Sequence, residues 1–187
     1  MIVDEKGLCR AIKKAYKTTG YHVQAENGET MIWTVGWFVK MAKLPPKVLA
    51  LVVEHMEALP GAATNLQHKL SPQIMIEAEA AAEVKAWTTG GCEDKLRFLP
   101  ITVAGAQLLQ GETGELHGVD PVALEIVEAF DRLRTEGNLT YHARLYATAV
   151  WLDADSMVAM TTKKPSEGSW IYDVWTALQG KKIVVTE

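Results

Sequence analysis

The stretch from Tyr21 to Val39, Tyr-His-Val-Gln-Ala-Glu-Asn-Gly-Glu-Thr-Met-Ile-Trp-Thr-Val-Gly-Trp-Phe-Val, most constrains what this chain can fold into. Asn27-Gly28 supplies two residues that tolerate positive φ, as a type I′ turn requires, between two β-prone runs, so the stretch reads as a β-hairpin. In its second run Met31, Trp33, Val35, Trp37 and Val39 alternate with Thr30, Ile32, Thr34, Gly36 and Phe38. One face of a single long strand is then continuously apolar, and a slip of one residue would turn both indoles over. Trp33 and Trp37 are therefore expected on the same side of the sheet, packed on a following helix through residues such as Val52 and Met56.

That helix opens at Pro45-Pro46, runs to about Leu59 and is stopped by Pro60-Gly61. Ahead of the hairpin, Asp4 to Thr19 reads as an amphipathic helix ended by Gly20. Leu8, Ile12, Ala15 and Tyr16 form its apolar stripe, while Lys6, Arg10, Lys13, Lys14 and Lys17 make the opposite face basic along its whole length. From Ser71 to Trp87 the signals conflict, since Ser71-Pro72 is a good helix start but the apolar residues recur with period two. A strand is expected for the later part, paired through 88–94 with a strand from Leu96 to Val103. The glycines Gly105, Gly111, Gly114 and Gly118 mark a loop. After it comes a helix capped by Asp120, opened by Pro121 and ended by Gly137. Leu139 to Leu152 alternates as a strand, Asp153 to Ser156 has turn chemistry, Met157 to Thr162 returns, and Ser169 to Gln179 forms a last helix. Ile183 to Val185 suits a final edge strand.

The expected fold is a single α+β domain over 1–187, with an antiparallel sheet built from hairpins and covered by helices. Both ends read helix, strand, strand, helix, which allows a pseudo-repeat of 4–60 and 119–180. A chain of 187 residues with 48% hydrophobic and 22% charged residues is not a disordered one. Its longest aliphatic run, Val48 to Val53, is far too short to span a membrane, and its first residues lack the regions of a secretory signal. Two cysteines, Cys9 and Cys92, are too few for a disulfide framework. The expected setting is cytoplasmic, with no membrane contact.

Charge is unevenly spread. Residues 1–47 carry eight basic and four acidic side chains, and residues 48–137 carry six basic and fourteen acidic ones. Either one of these surfaces meets a charged partner or the two face each other. Catalytic signals are poor by contrast. The histidines His22, His55, His68, His117 and His142 have no metal-ligand spacing, and no Gly-x-Ser-x-Gly, Walker or Gly-x-Gly-x-x-Gly pattern occurs. Asp153-Ala154-Asp155 after an apolar strand resembles, over these few residues, the site of haloacid-dehalogenase-like phosphatases, which implies an aspartate nucleophile and Mg²⁺. Threonine is absent where that pattern has it, and the turn reading is preferred.

Six tryptophans against three phenylalanines is unusual, and an indole N–H needs a partner when buried. Trp170 and Trp175 are the candidates for an aromatic contact surface. The chain thus reads as a non-catalytic macromolecule-binding protein, a regulator or inhibitor of a partner that handles nucleic acid. The basic face of Lys6, Arg10, Lys13, Lys14 and Lys17 is its first candidate surface, open to direct nucleic-acid contact. No cofactor or metal is assigned. The alternatives are a metal-assisted hydrolase using Asp153 and Asp155, and a homo-oligomeric interaction module.

Overall fold

The hairpin forms as its turn chemistry dictates. Strands β1 (Tyr21–Glu26) and β2 (Glu29–Trp33) close on the pair Glu26 and Glu29, with Asn27 and Gly28 both at positive φ. The second run, however, is not one strand to Val39. The Thr34 N–H donates to the Trp37 carbonyl at 2.9 Å, and the Gly36 N–H donates to the Thr34 hydroxyl at 3.0 Å. This closes a three-residue turn, and β3 (Trp37–Met41) runs back along β2. Trp33 and Trp37 consequently face opposite sides of the sheet, which corrects the expectation that they share one.

The computed structural model describes residues 2–61, 64–68, 94–134, 137–141, 147–181 and 183. A second meander comprises β8 (Gly137–Tyr141), β9 (Ala147–Leu152) and β10 (Ser156–Thr161), so the strand expected over Leu139 to Leu152 is two strands. Its β9–β10 turn repeats the bonding of the β2–β3 turn. The Asp153 N–H donates to the Ser156 carbonyl and the Asp155 N–H to the Asp153 carboxylate, each at 2.9 Å. Strands β3 and β10 pair antiparallel about Val39 and Val158. Reciprocal bonds follow, from the Ala42 N–H to the Asp155 carbonyl and from the Thr161 N–H to the Gly36 carbonyl. An approximate dyad therefore relates the two inner strand pairs.

Strands β4 (Thr64–His68), β5 (Asp94–Val103), β6 (Ala106–Gly111) and β7 (Leu116–Val119) complete an antiparallel order β4-β1-β2-β3-β10-β9-β8-β5-β6-β7. Six strands lie on one side of β8 and three on the other. The expected glycine loop is thus largely sheet, with Gly105 at positive φ in the tight β5–β6 turn and Gly111 and Gly118 within strands. The readings of 71–87, of its link through 88–93 and of 184–185 fall outside the described residues, and Asp94, expected in that link, already belongs to β5.

The helices cover the sheet as an α+β fold requires. Helix α1 (Glu5–Lys17) is capped by the Asp4 carboxylate, which accepts from the Gly7 N–H, and Gly20 follows at positive φ. Helix α2 (Pro46–Met56) stops at Glu57 in the left-handed region, before Pro60-Gly61. The helix expected from Asp120 to Gly137 is broken into α3 (Pro121–Leu124) and α4 (Ala129–Arg134). The break arises because the N-terminal residues claim its backbone. The Asp4 N–H donates to the Ile126 carbonyl and the Glu128 N–H to the Ile2 carbonyl, both at 2.8 Å, with Val3 bridged to Val127. Helix α5 (Trp170–Leu178) is capped by Ser169.

Leu8, Ala11, Ile12 and Ala15 of α1 and Val48 and Val52 of α2 pack on Val23, Ile32, Trp37, Val39, Trp151 and Val158 to form the main core. The opposite sheet face carries Trp33, Phe38, Val150, Met157 and Ala159. A third cluster joins Trp175 of α5 to Leu99, Leu108 and Leu116. No helix among the described residues is long and apolar enough to cross a membrane.

Candidate charged interface

A glycine inside an amphipathic helix costs about 1 kcal/mol against alanine, so Gly7 demands a packing reason. The structure supplies one. A Cβ at Gly7 would stand 1.7 Å from the Glu125 carbonyl oxygen, which means that α1 touches the α3 segment backbone at this point. At 100° per residue, Arg10 and Lys14 lie on the same flank of α1 as Gly7. Both therefore reach across to the segment that Gly7 admits. Arg10 Nε donates to Glu125 at 2.6 Å, and Lys14 Nζ donates to Asp120 at 2.7 Å. Asp120 also caps α3 by accepting from the Val122 N–H at 2.8 Å. Partial burial pushes its carboxyl up, but the bonds from Lys14 and Val122 outweigh that and hold it below the usual range.

All five basic residues of the predicted stripe are exposed. They divide by ion pairing. Lys6, Lys13 and Lys17 project within about 40° of one another, along the ridge that faces away from the sheet. None of these three takes part in an ion pair among the described residues. Arg10 and Lys14 sit on the flank and are matched by Glu125 and Asp120. Sequence reasoning names Asp120 only as a helix cap and pairs neither acid with α1, although the contrast between a basic first quarter and an acidic middle is their signal. It passes over Gly7 as well, whose place within a helical stripe is the sign.

The aromatic pair divides too. Trp170 is 68% exposed and Val174, one turn on, is partly exposed. Trp175 is 4% exposed, its indole lying over Gly118, where a Cβ would come within 3.0 Å of the ring. As a surface residue Trp175 is thus corrected to a core residue. The cause is the period of the helix, since positions 170 and 174 share a face that position 175 leaves.

Asp153 is occupied by its own turn. Its Oδ1 accepts from the Asp155 N–H, the Ser156 N–H and the Ser156 hydroxyl, and its Oδ2 accepts from the Ile2 N–H at 2.8 Å. Burial raises its pKa, but the Ser156 hydroxyl and the Asp155 and Ser156 N–H groups bring it down to about 2. A carboxylate bound in this way is a turn-former that also anchors the start of the chain, and Asp155 is exposed.

The described histidines go into packing. Tyr16 stacks with His55 at 3.8 Å and with His68 at 4.1 Å between centroids. Two imidazoles at these separations would overlap on one face, so they take opposite faces of the phenol ring. His55 Nδ1 also shares a hydrogen bond of 3.0 Å with the Tyr21 hydroxyl. His22 stacks on Trp33, and His117 is buried 3.8 Å from Glu115. Among the described residues no three His, Cys, Asp or Glu side chains are placed to hold a metal ion. His142 lies outside those residues. No protein-family model matches the chain, and no similarity to a curated protein or to a solved structure was found.

Proposed function

We propose that the chain is a non-catalytic macromolecule-binding protein, a regulator or inhibitor acting in the cytoplasm, whose partner is nucleic acid or a protein that handles it. The observation that carries this reading is the ridge of Lys6, Lys13 and Lys17 on α1, exposed and without an ion pair among the described residues. Along α1 the outer two stand about 16 Å apart at 1.5 Å per residue, which is a span of several phosphates. Each exposed ammonium that meets a phosphate releases a counterion, so binding should weaken steeply with salt. The test compares the parent with Lys6→Glu, Lys13→Glu, Lys17→Glu combined, on bulk nucleic acid at low and high salt. Loss of a salt-sensitive interaction in the variant is expected; equal binding by both proteins would reduce the ridge to a solvated face.

A second reading is favoured by the exposure of Trp170 beside Val174. In it α5 offers an aromatic contact to a protein partner or to another copy of the chain. The matched turns and reciprocal bonds about β3 and β10 further support reading 4–60 and 119–180 as a pseudo-repeat.

A further inference from the structure

We infer that Asp120 and Glu125 act as internal counter-anions that hold back the polyanion affinity of α1. The inference rests on the ridge reading above and adds its regulation. Arg10 and Lys14 belong to the same basic face as Lys6, Lys13 and Lys17, yet each already has a carboxylate from the α3 segment within 2.7 Å. An incoming phosphate must displace that carboxylate to gain the cation. The two acids flank α3 on either side, Asp120 at its N-cap and Glu125 at its C-cap, and the close approach at Gly7 fixes the segment against α1. Arg10 and Lys14, one helical turn apart on α1, thus each meet one end of α3.

Both pairs are largely exposed, with side chains between 38% and 57% accessible. Exposed pairs of this kind are weak, and a competing polyanion can break them. The contact therefore sets affinity in a graded way and does not shut the surface. Anything that neutralises or withdraws Asp120 and Glu125 would widen the cationic face from three residues to five.

The experiment uses the full chain and a fluorescent single-stranded oligonucleotide, followed by anisotropy between about 50 and about 200 mM salt. Asp120→Asn with Glu125→Gln removes both charges, and Asn keeps an oxygen to cap α3, so a thermal melt like the parent's is expected. The variant should bind several-fold more tightly at low salt. Its dependence of log K on log salt should steepen by roughly 1.4, from about 0.7 for each released cation. Equal slopes and affinities for this variant and the parent would overturn the inference. If the Lys6, Lys13 and Lys17 charge-reversed protein has meanwhile lost binding, the ridge reading stands and only its regulation falls. If that protein too matches the parent, both fall.

Discussion

Helices α1 and α5 were each expected to present a binding face, and the fold treats them differently. On α1 all five basic residues reach solvent, whereas on α5 one indole of the pair is exposed and the other is core. Charge declares its own position, because an unpaired ammonium cannot be buried without a penalty of several kcal/mol. An indole declares nothing, since it is at home in a core and at a surface alike. For aromatic residues the helical angle is the better guide.

The largest expected effect lies on α5. Trp175→Ala should cost about 3 to 5 kcal/mol in chemical denaturation, because it empties a site between Leu99, Leu108 and Leu116. A loss below about 1 kcal/mol would show that the third cluster is not a true core. Next comes the contact that gives α1 its paired flank. Gly7→Ala sets a methyl against the Glu125 carbonyl and should destabilise by about 1 to 3 kcal/mol. It should also loosen the Arg10 and Lys14 pairs. A parallel rise in oligonucleotide affinity would show that the backbone contact with α3 sets the cationic surface of α1.

Acid titration sharpens the contrast at the β9–β10 turn. The Asp153 carboxyl is depressed from 3.8 to about 2, with burial opposed and outweighed by the hydrogen bonds of Ser156 and Asp155. A depressed carboxylate adds stability above its ordinary value that is lost as pH falls from about 4 towards 2. Linkage sets the ceiling at about 2.5 kcal/mol, and screening by solvent brings it well below that. Asp153→Asn should flatten that limb of the pH–stability curve. A saturable rise in melting temperature with Mg²⁺, abolished by Asp155→Asn, would instead favour a metal-binding role for the pair. The smallest effect is Trp170→Ala, expected within about 0.5 kcal/mol of the parent because the ring is mostly in water.

Much of the fold was legible where a local rule acts alone. Asn27-Gly28, the Asp120 cap and the Pro46 helix start all behave as their chemistry requires. It was illegible where a tertiary contact overrode the local pattern. The alternation from Met31 to Val39 hides a turn, since Thr34 and Gly36 fit the period of a strand while bonding each other. Ile126 and Val127 continue a helical stripe, but Ile2 to Asp4 draw them into strand-like pairing. The candidate site follows the same division. Its five cations could be read from spacing, whereas Asp120 and Glu125 became their partners only through the backbone approach at Gly7, more than a hundred residues away in sequence.

Whether the α1 ridge is where the protein meets its partner is tested most directly by lysine footprinting. The full chain is acetylated with and without a single-stranded oligonucleotide at low salt, and each lysine is quantified by mass spectrometry. Lys6, Lys13 and Lys17 should be protected, while Lys95 and Lys163, exposed on other parts of the surface, should react as before. Protection spread evenly over all five, or confined to Lys95 and Lys163, would contradict a partner site on the ridge.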